Sequence, residues 1–168
     1  MSENDTNKYQ TRRVITGHDK EGKAVVWMDG AASNVKRPND NIISTLLWTT
    51  DEMPADFMNE EDYGERAVAT APHPNGTRFI IFEMKPHSGR SKMHKTDTID
   101  YVVCIEGEMT AILDDTEVIL KPGDVLIQRG TNHGWENRSD QHTKLAIVLI
   151  DGKPKRDDAL SGTNSPKY

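Results

Sequence analysis

A chain of 168 residues, 35% hydrophobic and 29% charged, is sized for one globular domain that needs no disulfide staples. Its 21 Lys and Arg against 27 Asp and Glu leave a net charge of −6, and the basic clusters are short and near the ends (Arg12-Arg13, Lys153 to Arg156), which argues against a nucleic-acid partner. No apolar run reaches the roughly 20 residues that cross a bilayer, the N-terminus has no apolar signal core, and the single Cys104 cannot form an internal disulfide, so a soluble protein of the cytoplasm with no membrane partner is expected.

Taken in chain order, residues 1–22 read as an N-terminal arm, disordered over about the first ten positions. The stretch AVVWMDG (24–30) is a short strand running into a Gly turn, and NIISTLLWTT (41–50) is a second, rich in β-branched residues. The acidic segment 51–67 reads as a loop with one short helix, and the Pro and Asn-Gly signals of 69–77 as a turn. Strand-length runs then follow at 78–85, 98–107, 108–115, 116–121, 124–129, 133–137 and 144–150. Turn pairs such as Glu106-Gly107, Asp114-Asp115, Pro122-Gly123 and Arg129-Gly130 separate several of them. Many short strands at near-even spacing predict an all-β antiparallel sandwich or barrel with minor helix, spanning 23–151, followed by a polar tail at 152–168. Leu145 to Ile150 is apolar at every position, which predicts a strand covered on both faces.

The chemistry concentrates in two stretches. In MHKTDTIDYVVCIEGEM (93–109), period-two alternation puts His94, Thr96, Thr98, Asp100, Val102 and Cys104 on one face, and Val102 and Cys104 imply that this face looks inward. In KPGDVLIQRGTNHGWENRS (121–139), His133, Trp135 and Asn137 alternate along a strand after two turns. A barrel with His and Asp at its polar end and apolar groups deeper is a pocket for a small molecule. Tyr101 has the opposite parity to Asp100 and points away. His18, His73, His87 and His142 read as surface or loop residues, and Cys104 as a small buried hydrophobe.

Together these stretches resemble the cupin superfamily, whose motifs run G-x5-H-x-H-x3or4-E-x6-G and G-x5-P-x-G-x2-H-x3-N. His94, Asp100 and Gly107 match the first, with Asp100 in place of Glu, Thr96 in place of the second His, and Gly89 one position late for the opening Gly. Gly123, His133 and Asn137 match the second, with one residue fewer in the turn and Arg129 in place of Pro. The resemblance covers about 78–150 and implies a small jelly-roll barrel. It further implies a divalent metal ion (Fe, Zn, Mn or Ni) on His94, Asp100 and His133, two imidazoles and a carboxylate being enough for a facial triad with open positions. Thr96 is a poor replacement ligand, and a polar interior without metal is the alternative reading. On this resemblance His94, Asp100 and His133 are the candidate catalytic residues, and Thr96, Val102, Cys104 and Trp135 line the substrate pocket.

Fungal cupins of similar size with a comparable QRGTNH segment are described as oxidoreductases of polyketide pathways. The resemblance therefore implies an oxidoreductase or dioxygenase acting on an aromatic or polyketide-like substrate. The alternative is a metal-free cupin, either a small-ligand binding protein or an acid–base lyase or isomerase. A homodimer is expected, because small jelly rolls leave sheet edges that need cover and the arm with strands 24–29 and 42–50 is placed to pair with a second copy.

Overall fold

The computed structural model describes residues 10–154, so the reading of the first nine positions and of the tail beyond 154 falls outside it. Eleven strands and one short helical turn make up the described chain. In order they are β1 (Arg12–His18), β2 (Ala24–Ala31), β3 (Val35–Asn39), β4 (Ile42–Thr50), a 3₁₀ turn at Tyr63–Glu65, β5 (Thr77–Met84), β6 (Thr98–Glu106), β7 (Met109–Ile112), β8 (Glu117–Leu120), β9 (Val125–Arg129), β10 (Gly134–Glu136) and β11 (Thr143–Asp151). Every strand pairing is antiparallel. A six-stranded sheet in the order β3-β4-β5-β11-β6-β9 faces a three-stranded sheet β10-β7-β8, and β1-β2 form a separate hairpin. This is the expected all-β architecture, with its core between the two sheets around Val102, Met109, Trp135 and Leu145.

Two strands escaped the sequence reading. β1 lies inside the segment read as an arm, and its register with β2 is set by the Asp19 turn, whose Oδ1 accepts the backbone N–H groups of Glu21 and Lys23. β3 contains Pro38, and Pro is tolerated there because β3 is the edge of its sheet. The predicted helix of 51–67 shrinks to a single turn capped by Asp62, whose Oδ1 accepts the Gly64 N–H. Arg13 of β1 grips the same carboxylate with two N–H groups, tying the hairpin to the acidic loop.

β11 is less covered than its composition predicts. Leu145, Ile147 and Leu149 are buried, whereas Ala146, Val148 and Ile150 on the other face are half-buried. They belong to an outer sheet surface where Phe79, Tyr101, Val103 and Ile127 are exposed. The turn between β6 and β7 requires Gly107: its φ is +70°, and a Cβ there would stand 2.3 Å from the His142 carbonyl oxygen.

The strand registers produce one further feature. Thr49 pairs with Arg78, Arg78 with Leu149, Leu149 with Asp100, and Asp100 with Gln128. Five neighbouring strands thus place one continuous row of buried side chains at a single level of the barrel, four of them polar. The next row inward, Leu46, Ile80, Ile147, Val102 and Leu126, is apolar throughout.

Candidate active site

The polar row opens into a cavity of about 280 Å³. Its polar wall includes Arg78, Asp100, Gln128 and His133, with His94 and Thr96 beside them. Val102, Ile147, Phe82 and Trp135 form part of the apolar wall. Of the residues singled out from the sequence, His94, Thr96, Asp100, Val102, His133 and Trp135 line this space, and Cys104 does not. Cys104 has the expected parity but sits two residues too deep. It is packed in the core, its Sγ facing the carbonyl oxygens of Gly107 and Leu120, and burial pushes the thiol pKa up.

His94 and His133 come together differently from the sequence reading. β6 begins at Thr98, and its buried side chains alternate strictly through Thr98, Asp100, Val102 and Cys104. His94 precedes the strand and reaches the site through an isolated bridge, exchanging both backbone hydrogen bonds with His133 at 2.8 and 2.9 Å. The two imidazoles lie 4.2 Å apart between centroids, His94 exposed at the mouth and His133 buried. Trp135 meets His133 edge-on at 5.8 Å and Phe82 at 6.4 Å.

A chain of hydrogen bonds fixes the buried end. His133 Nδ1 lies 2.9 Å from the Thr131 carbonyl oxygen and donates to it, which leaves Nε2 as an acceptor. Gln128 Nε2 stands 3.2 Å from His133 Nε2 and 2.7 Å from Asp100 Oδ2, so one amide NH₂ serves both. Burial lowers the His133 pKa to about 4, keeping the imidazole neutral. Burial also raises the Asp100 carboxyl, only partly offset by its hydrogen bonds and by His94. Asp100 Oδ1 is buried and has no hydrogen-bond partner among the described residues. Thr96, in the place of the family's second His, spends its hydroxyl on Thr98 at 2.8 Å. Asn137 of the second motif is structural, bonding the carbonyls of Met84 and Gln141 across the turn before β11.

This geometry tests the expected metal ligands. The lone pairs of Asp100 Oδ2 and His133 Nε2 that would hold an ion both point at the Gln128 amide, a donor that occupies the space between them. Among the described residues, no three His, Cys, Asp or Glu side chains converge as a ligand group. As arranged, His94, Asp100 and His133 do not fit a divalent ion, because Gln128 takes one carboxylate oxygen of Asp100 and the Nε2 of His133 in its place.

Sequence reasoning missed Gln128 and Arg78. Both carried a signal: Gln128 shares the parity of Leu126, five positions before His133, and Arg78 shares that of Ile80 and Phe82. His142, read as a surface residue, is half-buried and donates from Nε2 to the fully buried Glu83 at 2.7 Å.

An antiparallel barrel holds a cavity with a polar mouth and an apolar floor, its two histidines bridged across β-type hydrogen bonds, and this is the architecture of a jelly-roll barrel. The Cupin domain family model matches residues 80–150. Phomopsin biosynthesis cluster protein C' of Diaporthe leptostromiformis is 37% identical over 154 residues, covering 84% of this chain and 79% of that protein. The cupin-domain-containing oxidoreductase virC of Hypocrea virens is 32% identical, covering 86% and 78%. Among solved structures, a Cupin 2 conserved barrel domain protein from Salinispora arenicola aligns over 68% of this chain and 80% of its own at 16% identity, with a TM-score of 0.47. The chain belongs to the cupin superfamily.

Proposed function

We propose that this cupin is an enzyme of the oxidoreductase type that acts on a small, largely apolar molecule of aromatic or polyketide-like character held in the barrel. Relatives named as cupin-domain-containing oxidoreductases support the reaction class, and the Trp135 and Phe82 wall supports the substrate class. The contribution of this chain's own residues is proton removal. Asp100 is the base: it lines the cavity, its Oδ1 has no hydrogen-bond partner among the described residues, and burial raises its pKa. Gln128 holds the other oxygen, and His133, pinned by Thr131, holds Gln128. His94 at the mouth is placed to meet the substrate's polar edge. The free Oδ1 is the observation that carries this reading.

Oxidation also requires an electron acceptor from outside these residues. Without one, the same proton removal yields isomerisation or elimination. A lyase or isomerase is the second reading, favoured by the Gln128 amide standing where an ion would bind. Purified protein incubated with aromatic and polyketide-like candidates, with metal content, oxygen uptake and product mass followed together, separates the two. Products poorer by two hydrogens or richer in oxygen support oxidation, and an isomer or dehydrated product supports the second. Bound substrate recovered unchanged under all conditions would reduce the protein to a binding module.

We further propose a cytoplasmic homodimer. The single buried thiol Cys104 supports the location, and no helix of the described residues is long and apolar enough to cross a membrane. Exposed Val14, Val26, Trp27 and Met28 on the β1-β2 hairpin support the pairing, as does the apolar outer face of the large sheet.

A further inference from the structure

Arg78 stands out among the cavity residues. It is 3% exposed, its Nε has no hydrogen-bond partner, and no carboxylate of the described residues forms an ion pair with it. Burial alone displaces its pKa, downward to about 10, so the guanidinium remains charged at neutral pH. A buried cation without a counter-charge is costly, and proteins rarely keep one unless something binds there. The surroundings repeat the sign: a chain of net charge −6 lines this cavity with Lys36, Arg78 and Lys92 against, among the described residues, one carboxyl, Asp100.

We propose that Arg78 is the anchor for a carboxylate on the substrate, making the ligand a small aromatic or polyketide-type carboxylic acid. This deepens the proposed function and rests on the cavity being the substrate site. The planar fork of a guanidinium matches a carboxylate with two parallel N–H···O bonds. Position agrees with chemistry. Arg78 and Asp100 stand at the same level with only Leu149 between them, two strand spacings or about 10 Å between backbones. An acid held at one end by Arg78 extends over the apolar Leu149 and Ile147 and presents its other end to Asp100. The arrangement separates the binding charge from the reacting base, so the anchor does not neutralise Asp100.

Binding is measured by calorimetry and thermal melting with sodium cinnamate, its uncharged isostere cinnamamide, and inorganic phosphate as separate probes. Wild type binds cinnamate saturably and ignores cinnamamide and phosphate at the same concentration. Arg78→Met weakens cinnamate by about tenfold or more, the weight of a charge-assisted pair. Arg78→Lys falls between, keeping charge but losing the fork. Unliganded Arg78→Met melts no lower than wild type, since an unpaired buried cation has been replaced by an apolar side chain. Equal response to cinnamate and cinnamamide, or unchanged affinity in either variant, overturns the assignment. So does a clear fall in the melting point of Arg78→Met, which would reveal a structural partner. Phosphate binding as tight as cinnamate would mark an inorganic-anion site and overturn the carboxylic-acid class. None of these readings requires turnover, so they stand apart from the catalytic role of Asp100, which fails if Asp100→Asn retains full activity.

Discussion

Gln128 Nε2 gives its two hydrogens to Asp100 and His133, and this one amide decides what both residues are free to do. Replacing it with Leu leaves a buried carboxyl without one of its side-chain donors. We expect Gln128→Leu to cost about 1–3 kcal/mol in urea denaturation and to raise the pH at which activity switches on, since the carboxylate form loses support. A metal-binding gain is a separate outcome to measure. Thr96→His restores the family's second imidazole, and elemental analysis showing metal in that variant but not in wild type is expected if Gln128 has replaced the ion. His133 sets a pH dependence of its own. Its folded pKa of about 4 lies below the ordinary 6.5, so the unfolded chain binds more protons between those values. Its stability contribution is complete above about pH 6.5 and is lost as pH falls toward 4, about 3 kcal/mol for a displacement of this size. Asp100, raised instead, acts in the opposite sense, losing stability as pH rises through its folded value. Denaturation from pH 4 to 7 should therefore show a rise in wild type that flattens or reverses in His133→Gln.

At the scale of elements, the hairpin and the acidic loop depend on one another. Arg13 donates to both oxygens of Asp62 and to the Leu47 carbonyl, and both charged partners are largely covered. Asp62 in turn caps the 3₁₀ turn that carries Tyr63, stacked on Trp48 at 5.6 Å. Arg13→Ala removes the cation from a partly buried carboxylate, and we expect a loss of about 2 kcal/mol or more. Hydrogen exchange should quicken in residues 51–67 and in β1 while β6 and β11 keep their protection. The strands that composition reveals best are those around the site, β5, β6 and β11, because alternation and β-branched content are strongest where one face is buried. β1 and β3 were illegible for the same reason. Their residues are exposed or half-exposed, and pairing across the Asp19 turn and at a sheet edge decides their conformation.

At the scale of the whole molecule, two apolar surfaces are exposed among the described residues. β2 is exposed along its full length, and the outer face of the large sheet exposes Tyr101, Val103 and Ile127. β4, expected to help a second copy pair, is flanked on both sides by β3 and β5 over Ile42–Thr45, which leaves little of it for a second copy. The dimer contact is therefore expected at the hairpin and the outer sheet face. Light scattering at micromolar concentration should give twice the chain mass, and Trp27→Lys with Tyr101→Lys should give a monomer of unchanged circular dichroism. A wild-type monomer would refute the dimer.

The sequence by itself determined the all-β class, the inward parity of Asp100 and Val102, and the cupin motifs around His94 and His133, because period-two alternation and turn residues are local properties of the chain. Tertiary structure alone decided which of those side chains meet. Strand order puts β11 between β5 and β6, and that crossover, invisible in any window of sequence, sets Arg78 level with Asp100. The antiparallel pairing of β6 with β9 carries Gln128 to Asp100 and inserts an amide where the motif alone implied an ion. Depth followed the same rule: Cys104 has the right parity for the cavity, but the floor closes above it, since parity fixes the face of a strand and only packing fixes how far a cavity reaches along it.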